Sequence, residues 1–231
     1  MNFLAHGHRW LDRPDRLAGT ALPDWLSLLA PASRLRGRAL GLPEREDRSA
    51  EAEVLRGVRI HHAEDRWFHQ QPAFEELVRE GTAALRAAYP GGAEDRRFKP
   101  RFLAHVAVEV LLDAWLLERE PGLGAAWRAS LEHADLAALE ATVAAHAPEP
   151  APGLADRIRQ FRATAYVEGY GDEAEVARRL SRVAQRVRVH APPADVTVLA
   201  VAALRPRVAQ RALALLPPPW PARLALRVPD S

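Results

Sequence analysis

Cysteine is absent from this chain, which excludes disulfides, thiolate metal ligands and a cysteine nucleophile. Lysine is nearly absent: Lys99 is the sole lysine among 32 basic residues, and arginine supplies the rest. No apolar run approaches the ~20 residues needed to span a bilayer. The opening, MNFLAHGHRW, has neither a basic leader nor the long apolar core of a secretion signal, so a cytoplasmic protein is expected. There is no internal repeat, no glycine-rich phosphate loop and no serine in a nucleophile-elbow setting. Strand signals are scarce, since Val, Ile and Thr seldom alternate with polar residues.

Helical spacing of Ala, Leu, Arg and Glu fills the chain instead. Its 231 residues suffice for one large domain or two small ones, and 48% hydrophobic against 27% charged residues is an ordinary globular balance. The sequence predicts an all-α fold: one all-helical domain over 1–216 and a proline-rich tail over 217–231. Net charge is +2 with a pI near 9.5. Acids and bases are interspersed without aromatic–basic alternation, so neither nucleic acid nor a membrane is an expected partner.

The most informative stretch is FLAHVAVEVLLDAWLL, from Phe102 to Leu117. His105, Glu109 and Asp113 fall at i, i+4 and i+8, on one stripe of a helix otherwise made of Ala, Val, Leu and Trp. Ordinary solvated stripes mix Lys, Arg, Glu and Gln; this one holds only residue types that bind divalent metals. The two ends of the stripe are about 12 Å apart along the axis, too far for one ion with bonds of about 2.1 Å to take all three. Two ions, or a supporting role for His105 or Glu109, are the alternatives.

Other elements follow from punctuation. Pro14 opens a helix to about Leu29, with Pro23 and then Asp24 among apolar neighbours. Residues 31–48 read as a loop. Ser49 caps a helix running through Phe68, on which His61 and Asp65 share a face; they are either a two-point metal grip or a core histidine beside an exposed acid. Pro72 opens the next helix, and the central helix is expected from about Arg97 to Glu118. One or two helices follow over 123–147, then amphipathic helices over 154–166 and from Asp172, and a last one from Asp195 to about Leu216. The helix after Asp172 carries Arg178, Arg179, Arg182, Arg186 and Arg188, which either solvate a face or receive an acidic partner.

Taken in order, MNFLAH with a second histidine at position 8, LAGTALPDWL, GVRIHHAED, AVEVLLDAWLL and AYVEGYGDEAEVARRLSRVAQR resemble the acyl carrier protein phosphodiesterase family, distant relatives of the HD-domain phosphohydrolases. The resemblance covers about 1–190. It implies a single HD-like helical domain with a metal site between helices, and hydrolysis of the phosphodiester that joins 4′-phosphopantetheine to a carrier-protein serine. It assigns Asp24, His61, Asp65, Glu109 and Asp113 to metal binding; His6, and His105 where the family is usually apolar, are candidate extra ligands or proton carriers. Mn²⁺ is the expected ion, Mg²⁺ or Fe²⁺ the alternatives. An acidic carrier protein or another pantetheinyl or phosphoester substrate is the expected partner, docking on Arg179, Arg182 and Arg186. The chain departs from the family pattern at Gly7, Arg59, His69 and His105, and has Glu109 where aspartate is usual. Other metal chemistry in an HD-like scaffold, including iron-dependent oxygenation, and a binding module without chemistry are the competing readings.

Overall fold

The computed structural model describes residues 1–36, 40–41, 43–44, 46–164 and 166–219. Among these the chain is all-helical and no strand forms. The α-helices are α1 (Phe3–Gly7), α2 (Pro14–Leu29), α3 (Ala50–His69), α4 (Pro72–Ala88), α5 (Pro100–Arg119), α6 (Leu123–Glu132), α7 (Leu136–His146), α8 (Leu154–Arg162), α9 (Glu173–Arg186) and α10 (Ala194–Arg211). No helix among the described residues is long and apolar enough to cross a membrane. The proline-rich tail falls outside the described residues from position 220.

Prolines set the starts. Pro14, Pro72 and Pro100 each occupy the first turn of their helix, where the missing amide hydrogen costs nothing. Pro100 also explains why α5 starts three residues later than the apolar pattern suggests, because the residue before a proline avoids helical angles. Ser49 accepts the Ala52 amide as expected of a cap. The Asp135 side chain accepts the amides of Ala137 and Ala138 and so starts α7, which splits the 123–147 region into two helices. Asp172 does the same for α9 through Ala174.

Contacts divide the chain into two compact units. The first comprises Asn2–Arg66 and Gly122–Glu168. In it α2 packs on α1, α6, α7 and α8. Phe3, Trp25, Trp127 and Phe161 form its aromatic centre, with Phe3 centred 6.5 Å from Trp25, 5.8 Å from Trp127 and 5.4 Å from Phe161. Tyr166 meets Phe3 edge-on. Helices α2 and α3 cross at Gly19 and Gly57. A Cβ on Gly57 would stand 2.7 Å from the Gly19 Cα, and one on Gly19 would stand 2.9 Å from the Val54 Cα. Only glycine at both positions permits that backbone approach.

The second unit comprises Met1, Trp67–Pro121 and the chain from Gly169. Here α4 packs on α5 and α10, and α9 packs on α5 and α10. Leu103, Val108, Leu111, Leu112 and Leu116 of α5 are buried. Arg205 of α10 is its main polar tie, reaching Glu118 and Glu173 at 2.8 Å and the carbonyls of Tyr170 and Gly171 at 3.2 Å.

Candidate metal centre

Three donors converge in the second unit. His69 is the last residue of α3, and His105 and Glu109 lie one turn apart on α5. His105 Nε2 is 3.1 Å from His69 Nε2 and 3.1 Å from Glu109 Oε1, and His69 Nε2 is 3.6 Å from that same oxygen. Donors on an ion with bonds of about 2.1 Å are separated by roughly 3.0–3.4 Å in octahedral or tetrahedral geometry. Two edges of the triangle fall in that range and the third exceeds it slightly, so the three donors are placed where they could hold one ion. Two imidazoles with one carboxylate suit Mn²⁺, Fe²⁺ or Zn²⁺ better than Mg²⁺.

Packing holds the two rings in place. The imidazoles of His69 and His105 stack at 4.9 Å between centroids. Phe74 of α4, itself buried, presents a perpendicular ring to both at 5.0 Å. The side chains of His69, His105 and Glu109 remain 31%, 37% and 18% exposed, so the site is open to an ion and to solvent.

The charge of Glu109 is strongly held. Burial opposes ionisation, but the Met1 ammonium, 3.3 Å from Oε1, and hydrogen bonds from His105 and His69 outweigh it and keep the carboxyl well below the usual carboxylate range. The ionised carboxylate beside two imidazoles offers a divalent cation a charged donor, with the Met1 ammonium on the same oxygen as a competing cation. Asp113, one turn further on α5, is fully buried. The donor triangle uses His105 and Glu109 of the predicted stripe and takes its third corner from His69.

The first unit contains a second cluster of imidazole and carboxylate. His6 on α1 is fully buried and its ring lies 4.2 Å from that of His61 on α3. His61 Nδ1 donates to the Thr20 carbonyl at 2.9 Å, a carbonyl adjacent to the Gly19–Gly57 crossing. That bond fixes the proton on Nδ1 and leaves Nε2 as a bare acceptor. Burial, reinforced by the neighbouring His6 ring, pushes His61 well below its ordinary pKa, so the imidazole is neutral near pH 7. His6 Nδ1 bonds Glu64 Oε2 at 2.9 Å, and Arg9 pairs with the other Glu64 oxygen. Burial nevertheless pushes Glu64 up to about 7, against the pull of Arg9. Asp24 on α2 and Asp65 on α3 are half-buried in this unit.

Of the residues singled out from sequence, His6 and His61 are thus brought into ring contact, and His105 and Glu109 share a hydrogen bond. Asp24 and Asp65 belong to the first unit and Asp113 to the second. Glu64 and His69 were not singled out as site residues. Glu64 sits at i+3 from His61, on a helix face that also buries Val54, Val58 and Phe68; a carboxylate on an apolar face was its available signal. His69 continues the His61–Asp65 series at i+8, the same spacing as the stripe on α5.

The expected arginine face of α9 needs correction at one position. Arg179 is buried, its guanidinium paired with Glu175 at 2.9 Å and lying 4.7 Å from the centre of the Tyr170 ring. It points into the helix packing because position 179 follows the buried Val176 by three and its partner Glu175 by four. Arg182 and Arg186 are exposed. Compared with protein-family models, with curated proteins and with solved structures, the chain finds no match in any of the three.

Proposed function

We propose that this chain is a divalent-metal-dependent phosphodiester hydrolase with its metal held by His69, His105 and Glu109. The observation that carries this reading is the donor triangle of 3.1, 3.1 and 3.6 Å on partly exposed side chains. The bound ion would supply an activated water and neutralise charge on the phosphoryl oxygens. Glu109 contributes a carboxylate that stays ionised across the working pH range. Phe74 keeps the two imidazoles in register without occupying their nitrogens. The resemblance drawn from the sequence supplies the substrate: the phosphodiester linking 4′-phosphopantetheine to a serine of an acidic carrier protein, with Arg182 and Arg186 as the docking cations.

The test is incubation of the purified chain with Mn²⁺ and holo carrier protein, read by mass spectrometry. Release of phosphopantetheine, abolished by a chelator and by Glu109→Ala, is expected. An intact carrier protein together with no stoichiometric metal would sink the hydrolase reading and leave a helical binding module. The two-histidine, one-carboxylate donor set also favours a second reading, iron-dependent oxygen chemistry. Preferential uptake of Fe²⁺ and a spectrum that changes with oxygen would select it.

A further inference from the structure

An open cavity of about 580 Å³ lies in the second unit, lined by Arg86, Phe98, Lys99, Pro100, Arg101, Phe102 and His105. Three features give it a definite chemistry. Its ionic lining is cationic, with Arg86, Lys99 and Arg101 and no carboxylate side chain. Arg101 is held in place by two hydrogen bonds to Glu75, at 3.0 and 2.7 Å. The amides of Arg101 and Phe102 open α5 ahead of its first internal hydrogen bonds, which adds partial positive charge on the same side. Phe98, Pro100 and Phe102 give the rest of the surface an apolar character. His105 belongs both to this lining and to the donor triangle. The neighbouring groove that shares Arg86, Phe98 and Pro100 contains Asp95, whose carboxylate is tied to His190. No carboxylate side chain lines the cavity beside His105, although Glu75 offsets the charge of Arg101.

We infer that this cavity is the substrate pocket of the proposed metal centre and takes an organic phosphoester with an apolar arm. The phosphoryl oxygens engage Arg86, Lys99 and Arg101, and the arm lies on Phe98, Pro100 and Phe102. The assignment rests on the hydrolase reading for the phosphoryl group, but its binding chemistry does not need the ion. That allows a test in which the two fail separately.

The experiment is calorimetric titration of the full chain, treated with chelator, using 1-naphthyl phosphate, inorganic phosphate and 1-naphthol. Naphthyl phosphate is expected to bind at least tenfold more tightly than either of the others, because only it fills both halves of the pocket. Lys99→Glu and Arg86→Glu should each weaken it tenfold or more. Lys99→Gln should lie between wild type and Lys99→Glu, which separates charge from folding damage. Arg36→Glu, an exposed change of the same size in the first unit, should leave it unchanged. Equal affinity for inorganic phosphate would reduce the cavity to a plain anion patch and overturn the proposal. Equal affinity for naphthol, or indifference to both charge reversals, would overturn it as well. Naphthyl phosphate binding without any uptake of Mn²⁺ in a parallel titration would uphold the pocket while removing the metal reading. Mn²⁺ uptake without naphthyl phosphate binding would do the reverse.

Discussion

The His6–His61–Glu64 cluster of the first unit and the His69–His105–Glu109 cluster of the second draw on the same side chains, and access to water separates them. In the first, all three residues are buried. Desolvation holds His61 neutral and lifts Glu64 to about 7, so its charge is suppressed wherever possible. In the second, the side chains keep partial exposure and the carboxylate is held ionised by a neighbouring ammonium and two imidazoles. Residue type alone therefore does not fix the charge such a cluster carries; burial and the nearest charges do.

The comparison breaks most sharply on metal affinity. His105→Ala and Glu109→Ala should each lower Mn²⁺ affinity by a hundredfold or more in a calorimetric titration, while Glu64→Gln should leave it within about threefold. The opposite pattern would exchange the roles of the two clusters.

The next effect concerns packing. Gly57→Ala places a methyl group against backbone atoms of Gly19 and Arg16 that cannot yield, and should cost about 3 kcal/mol or more. Gly81→Ala in the second unit meets the Ala104 Cβ and the Leu204 Cδ2 at 3.0 Å, of which the leucine methyl can rotate away, and should cost about 1 kcal/mol. Denaturant unfolding of both variants measures the difference.

Glu64 gives a pH signature. Its folded pKa of about 7 lies above the reference value of 4.5. The protonated acid therefore contributes stability fully below pH 4.5, and that contribution fades as pH rises through 7. The full swing amounts to about 3 kcal/mol. Glu64→Gln should flatten this part of the stability profile between pH 4.5 and 7. Glu109 is shifted in the other direction, so its contribution is full above pH 4.5 and is lost progressively as pH falls below that value. The smallest expected effect is at the caps: Asp135→Ala in the first unit and Asp172→Ala in the second should each cost about 1 kcal/mol in thermal unfolding.

Most of the helical architecture is readable from the chain because its boundaries are written locally. Pro14, Pro72 and Pro100 begin helices, Ser49, Asp135 and Asp172 cap them, and the apolar spacing between needs no distant partner to interpret. The site is readable only in part. His105 and Glu109 announce themselves because they interrupt an apolar helix. His69 does not, since it ends an amphipathic helix where polar residues are ordinary, and only the fold brings it against His105, with the Phe74 ring set edge-on to both. Arg179 misleads for the inverse reason: a long cationic side chain can be buried when a glutamate one turn earlier and a tyrosine ring receive it, and neither is evident from a run of arginines.

The aromatic centre of the first unit has a practical consequence. Phe3, Trp25, Trp127, Phe161 and Tyr166 are fixed at defined mutual angles, an arrangement that generates strong circular dichroism between about 250 and 300 nm and loses it once side-chain order melts. The second unit has its own indoles in Trp67 and Trp115, the latter with the Arg119 guanidinium 5.4 Å from the ring centre. The chain thus has a built-in optical label in each half, and the order in which the two halves melt can be followed without attaching a dye.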